Sequence, residues 1–215
     1  MLGNINIRGT RLSVGPVFQQ GSQLRILKFL WGSRDEWSGR EIAREVGLSA
    51  PACHEALKRL NARGLVTFRN IGHIHLYKVV EDNYLNRNIF AKLFEAEKSL
   101  PDDVAKLITK SLANGTKTEI LSIVLFGSIA RGKGRLDSDM DLLVVTATKE
   151  DLKSLQPALD NLGELLIRQF GMALSPYAQS LADFRHKHAQ HLPLIKEILK
   201  DGQCLYGKEP KELLS

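Results

Sequence analysis

The 215-residue sequence predicts an α+β chain of two domains. Three observations carry that expectation. The first third runs through a helix, two short capped helices and a pair of alternating strands. The second half holds two near-continuous apolar runs, one long amphipathic segment and a further strand, the pattern of a sheet flanked by helices. The charge divides in the same way: residues 1–80 carry 12 Lys+Arg against 5 Asp+Glu, a balance of +7, and the remainder carries 18 against 19. A basic module joined to a neutral one fits a polyanion partner, most often nucleic acid, or a solvated basic surface.

With 43% hydrophobic and 25% charged residues the chain can bury a core without staples. Cys53 and Cys204 lie far apart with no CxxC spacing, which predicts reduced thiols in a cytoplasmic protein. No apolar run approaches the ~20 residues of a membrane span, and no basic segment followed by an apolar stretch marks a signal peptide. No membrane partner is therefore expected.

Residues 1–15, with three glycines and no sustained period, predict a loose arm containing a short strand around Ile5–Ile7. A helix is expected from Gln20 to Trp31 on Leu24, Ile26, Leu27, Leu30 and Trp31. Ser38 with Glu41 forms a capping box for a helix that Gly47 stops. Ser49 caps the next helix, Pro51 occupies its first turn, Ala52, Ala56, Leu57 and Leu60 form its buried stripe, and Gly64 ends it. Leu65–Val80 reads as two strands around a turn at Asn70–Gly72, with Ile74 and Leu76 alternating with His73, His75 and Tyr77. Trp31 and Trp37 are expected at the core and rim of this domain.

Tyr84 to Ser99 predicts a connecting helix that ends before Pro101, and a second helix runs from Asp102 to Ala113, broken by Asn114-Gly115. Strands at Ile120–Phe126 and Asp141–Val145 follow, then a helix from Lys149 to Phe170, a strand from Met172 to Gln179, and helices from Leu181 to His188 and Leu192 to Lys200. The expected domains are 1–82, a helical linker at 83–101, and 102–215.

The chemistry concentrates where the first apolar strand runs into Gly127-Ser128. Gly127 lets a ligand approach the backbone, and the amides with the Ser128 hydroxyl can hold phosphate oxygens. Arg131, Lys133 and Arg135 add positive charge. Asp139 and Asp141, two apart at a strand head, project from one face while Met140 points to the other. A carboxylate pair on one face calls for a cation, and hard oxygen ligands suit Mg²⁺, which also takes phosphate oxygens. These residues predict a site for a nucleoside triphosphate with a divalent metal.

The Gly-Ser, ten intervening residues and Asp-x-Asp resemble the signature of the polymerase-β-like nucleotidyltransferase superfamily, in particular its minimal members, over residues 118–146. The resemblance implies a mixed sheet flanked by helices, Asp139 and Asp141 as catalytic and metal-binding residues, and Gly127, Ser128, Arg131 and Lys133 as nucleotide-binding residues. It also implies a third carboxylate on the strand after the long helix. Met172–Gln179 contains none; Ser175, Tyr177 and Gln179 are poor substitutes, and Asp183 lies just beyond.

Residues 20–80 resemble winged helix-turn-helix transcriptional regulators, most of all in Gly39–Ser49. That implies double-stranded DNA as a partner. Ser49, Ala50, His54, Glu55 and Lys58 would approach base edges from the second helix; Arg40, Arg44, Arg59 and Arg63 would meet phosphates; Arg69 and His73 sit on the wing. A winged helix used for protein contacts is the other reading. Paired half-sites make a homodimer the expected form, with the helices at 84–113 as candidates for its interface.

Three functions fit: a nucleotidyltransferase acting on a hydroxyl acceptor; a nucleotide-sensing transcriptional regulator with an inactive transferase fold; and the regulatory half of a pair whose protein partner is toxin-like. His186, His188 and His191 read as a solvated helix end, and Tyr177 as core or rim.

Overall fold

The computed structural model describes residues 21–113, 118–134 and 138–215. The expected arm at 1–15, the Asn114-Gly115 break and Arg135 lie outside these. The chain divides into two compact units, 1–99 and 100–215.

In the first unit α1 (Gly21–Ser33) buries Ile26, Leu27 and Leu30. A two-residue strand β1 (Trp37–Ser38), not foreseen in the sequence, leads into α2 (Gly39–Glu45). The predicted capping box is present: the Ser38 hydroxyl accepts from the Glu41 N–H, and the Glu41 carboxylate accepts from the Ser38 N–H at 2.9 Å. Ser49 caps α3 (Ala50–Ala62), accepting from the Ala52 N–H, and the predicted stops Gly47 and Gly64 have φ of 65° and 68°. The buried stripe of α3 is Cys53, Ala56, Leu57 and Leu60 rather than one starting at Ala52. Positions 53, 56, 57 and 60 follow the i, i+3, i+4, i+7 phase, which leaves Ala52 outside.

Strands β2 (Val66–Ile71) and β3 (Ile74–Val79) form the wing hairpin, and β1 pairs with β3 on the other side. On β3 the buried residues are Tyr77 and Val79, so His75 shares their face while Ile74 is exposed. Trp31 and Trp37 pack at the rim of this core, Trp37 edge-on to Phe29.

A π-helical turn (Asn86–Phe90) opens into α4 (Ala91–Leu112). Asn86 is buried and donates to the carbonyls of Leu65 and Val80, which ties the turn to the end of the hairpin. The expected helix boundary at Pro101 is absent: α4 runs through it, forgoing one intrahelical hydrogen bond for the missing N–H.

In the second unit β4 (Ile120–Phe126) enters a four-residue helix α5 (Gly127–Ala130), then come β5 (Met140–Thr146), α6 (Lys149–Phe170), β6 (Leu174–Ser180), α7 (Leu181–Ala189), α8 (Pro193–Asp201) and β7 (Gln203–Gly207). The sheet order is β6-β5-β4-β7. Only β5 and β6 are parallel, joined through α6, which makes the sheet mixed. Strand β7 was not foreseen; three exposed and two half-buried residues carry too little periodicity.

Alternation along β5 separates two cores. Met140, Leu142 and Val144 face α4 and α6 with Ile108, Leu155, Leu159 and Leu162; Leu143 and Val145 face α7 and α8 with Phe184, Ile195 and Ile198. Asp141 shares the parity of Leu143 and Val145 and heads that second face. Among the described residues no helix is long and apolar enough to cross a membrane. Leu162 is fully buried at the centre of α6. Leu162→Ala is expected to cost about 2–5 kcal/mol, read as a lowered urea midpoint for the second unit, with α-helical circular dichroism retained in buffer.

Candidate nucleotide and DNA sites

The register of β4 against β5 sets Phe126 opposite Asp141, so the chain turns at Gly127 directly beside that carboxylate. Gly127 has φ of 75°, and a Cβ built there would stand 2.0 Å from Asp141 Oδ2. Only glycine satisfies both the left-handed backbone and the close approach. Ser128 is half-buried; Arg131 and Lys133 are exposed beyond it. Asp139 is exposed just before β5, Met140 is buried on the opposite side, and Asp141 is half-buried.

Burial pushes the Asp141 carboxyl above its ordinary value. The neighbouring charges of Asp139 and Glu197 push the same way, and the Ser175 hydroxyl and Arg131 partly offset them. Arg131 forms an ion pair with Glu197, which strengthens its hold on its proton. Glu197, on α8, stands 56 residues beyond Asp141, and no local spacing reveals that the two share a site.

The third carboxylate implied by the resemblance has no counterpart on β6. Ser175 stands in register with Asp141. Asp183 does not reach in. It accepts from the Ser180 hydroxyl at 2.7 Å and pairs with Lys149 at 3.3 Å, and these partners hold its carboxyl below the usual range. Ser180 is five positions along β6 from Ser175, about 16 Å at strand rise. Tyr177 receives the Lys187 ammonium on its hydroxyl at 2.9 Å. His186 contacts Gln190, and among the described residues no group of three or more His, Cys, Asp or Glu side chains could hold a metal by itself. Both cysteines are free, and burial raises both thiols.

In the first unit Arg40, Lys58 and Arg59 are exposed and, among the described residues, make no ion pair. Arg44 pairs with Glu45, Arg63 donates to Gln23, and Ser49 is engaged as the cap of α3. Arg69 is gripped by both Glu36 oxygens at 2.9 and 2.8 Å, which lowers the Glu36 carboxyl. His54 lies on the side of α3 that faces the wing, in a cleft it shares with His73, His75 and Arg40.

A helix–turn–helix with a hairpin wing, and a mixed sheet with a carboxylate seated on a glycine turn, define a DNA-reading module joined to a nucleotidyltransferase fold. Comparison with known families agrees. Residues 21–67 match winged helix-turn-helix DNA-binding domains, and residues 106–211 match the polymerase beta nucleotidyltransferase family; the chain carries a domain of each. No curated protein matches it.

Several solved structures are similar over part of the chain. A toxin–antitoxin complex with AMP-PNP has 19% identity over 51% of this chain and 80% of its own, with a TM-score of 0.37. A homodimeric winged helix-turn-helix domain from Mycobacterium bovis has 25% identity over 41% and 75%, with a TM-score of 0.31. A complex of a Shewanella oneidensis HEPN toxin with its MNT antitoxin has 18% identity over 53% and 77%, with a TM-score of 0.33.

The raised Asp141 carboxyl has a defined consequence for stability. A folded-state value above the unfolded one favours the protonated fold, so its contribution is fully present below the unfolded value and is lost as pH rises through the folded one. Asp141→Asn is therefore expected to raise the thermal midpoint at pH 7 and to leave it unchanged near pH 3, checked by calorimetry at both pH values.

Proposed function

We propose that this chain is a DNA-binding nucleotidyltransferase that moves a nucleotide from a nucleoside triphosphate to a hydroxyl acceptor. The observation that carries the reading is the Asp141 carboxylate seated against Gly127. It supports the reading by setting a glycine turn of the kind that can hold phosphate against one of the two carboxylates. Burial and the charges of Asp139 and Glu197 leave an excess of negative charge there that Ser175 and Arg131 only partly offset. A cation relieves that excess, and Mg²⁺ bound by one or two carboxylates plus substrate phosphates fits a donor set of two. When bound, the ion neutralises charge developing on the reacting phosphoryl group.

In this reading Asp139 and Asp141 are catalytic and hold the metal. The Gly127 and Ser128 amides and the Ser128 hydroxyl hold phosphate oxygens, with Arg131 and Lys133 adding positive charge. The acceptor oxygen forms a bond to the α-phosphorus, the bond to the β-phosphate breaks, and pyrophosphate leaves. With Ser175 where a third carboxylate would stand, no side chain of β6 takes the acceptor's proton, which passes to water. A second reading, a nucleotide sensor without turnover, is favoured by that same Ser175. Labelled triphosphate with Mg²⁺ separates the two: transfer to an acceptor supports the enzyme, and saturable binding without transfer supports the sensor. In either case Asp139→Ala or Asp141→Ala is expected to weaken triphosphate binding about tenfold to a hundredfold, the worth of a charged contact. Undiminished affinity would remove the site.

The first unit reads double-stranded DNA, with Arg40, Arg44, Ser49, His54, Lys58 and Arg59 along α2 and α3. Arg69 contributes once a phosphate replaces Glu36. A homodimer on paired half-sites suits this geometry, and a co-purifying protein partner would point to a regulatory pair instead. Arg59→Ala is expected to lower the slope of log K against log salt by about one on duplex DNA. Filter binding between low and moderate salt measures it.

A further inference from the structure

Transfer of a nucleotide needs an acceptor oxygen beside the carboxylate pair, and β6 places one there. Ser175 stands in register with Asp141 on the adjacent parallel strand, about 4.8 Å away between backbones. The two side chains leave the same face of the sheet, and the Ser175 hydroxyl donates to the Asp141 carboxylate. That donation turns the hydrogen toward Asp141 and the oxygen lone pairs away from it. Ser175 is exposed, so the protein does not shield this oxygen from a triphosphate held at Gly127-Ser128.

Neighbouring hydroxyls are engaged elsewhere. Tyr177 shares this face, and its hydroxyl accepts from the Lys187 ammonium at 2.9 Å. The Ser180 hydroxyl donates to Asp183 at 2.7 Å, at the far end of the strand. Ser175 is also fixed in place. Strand β6 pairs with β5 along its whole length, from Met140–Leu174 to Thr146–Ser180, and Pro176 fixes the backbone torsion immediately after Ser175. A hydroxyl held in this way attacks without the loss of translational and rotational freedom that a free acceptor meets. A carboxylate in its place would add negative charge to the site; serine adds a nucleophile with none.

We propose that Ser175 is itself an acceptor, so that the chain transfers a nucleoside monophosphate onto its own β6. The proposal rests on the nucleotidyltransferase reading above and names a substrate for it. Ser175 Oγ forms a bond to the α-phosphorus, and the bond from that phosphorus to the oxygen bridging the β-phosphate breaks. Pyrophosphate leaves, and the hydroxyl proton passes to water. The product is a serine phosphodiester. Its nucleotide fills the site that made it, so the reaction stops at a single nucleotide per chain.

The experiment incubates the full chain with Mg²⁺ and each common ribonucleoside triphosphate, labelled in turn on the α- and the γ-phosphate. Intact mass, retained label and the modified peptide are followed, and equilibrium dialysis reads triphosphate binding separately. With at least one triphosphate, wild type is expected to gain the mass of a single nucleoside monophosphate. The α-label is expected to survive denaturation and hydroxylamine, and the γ-label to leave with pyrophosphate. Fragment spectra of the wild-type chain are expected to place the adduct on Ser175. S175A, altered at an exposed position, is expected to lose the adduct while remaining folded by circular dichroism. Saturable binding without an adduct overturns this inference alone, as does an adduct on another residue, retention of the γ-label, or an adduct undiminished in S175A. Absence of both binding and adduct overturns the nucleotidyltransferase reading with it.

Discussion

The second unit is organised around a contact between a carboxylate and the one residue without a side chain. Asp141 rests on Gly127 because the β4–β5 register aligns Phe126 with Asp141. A one-residue slip of that register would turn Asp141 toward the face covered by α4 and α6 and bring Met140 to the site. The apolar alternation of β5 prevents the slip, since Leu142 and Val144 belong to one core and Leu143 and Val145 to the other. Packing on both faces of a central strand thus holds a charged group where burial disfavours its charge. The cost is local to the head of the strand.

Much of this was legible in the sequence, because the relevant physics is local. The Ser38–Glu41 box and the Ser49 cap lie within one helical turn and were readable from spacing alone. The runs Ile120–Phe126 and Met140–Thr146 are apolar because both faces are covered, and helix α6 carries its buried residues at unbroken helical spacing. What stayed hidden depends on contacts between distant segments. Glu197 reaches Arg131 from another helix. The assignment of Ser175 to the place opposite Asp141 needs the β5–β6 register. Pro101 misled because proline is a strong local breaker, yet α4 absorbs it. Ala52 and Cys53 were exchanged by a shift of one position in helical phase.

The two units manage charge differently. In the second, Arg131 is paired with Glu197 beside the Asp141 carboxyl, which burial pushes above its ordinary value. In the first, Arg69 and Arg44 are paired with glutamates, while Arg40, Lys58 and Arg59 are left exposed along the two helices. Among the described residues, part of the basic excess seen in composition is thus held in ion pairs. Arg40, Lys58 and Arg59 lie on α2 and α3, the two helices of the helix–turn–helix.

Strand β7 adds a kinetic dimension. It pairs with β4 through residues as distant as Ser122 and Gly207, and β4 is the strand that delivers Gly127. Closing such a loop carries an entropy cost before any contact repays it, and sheets built this way assemble slowly. The first unit closes shorter spans of this kind, with Trp37 opposite Tyr77 across β1 and β3. During synthesis β4 therefore keeps an open edge until Gln203–Gly207 has emerged.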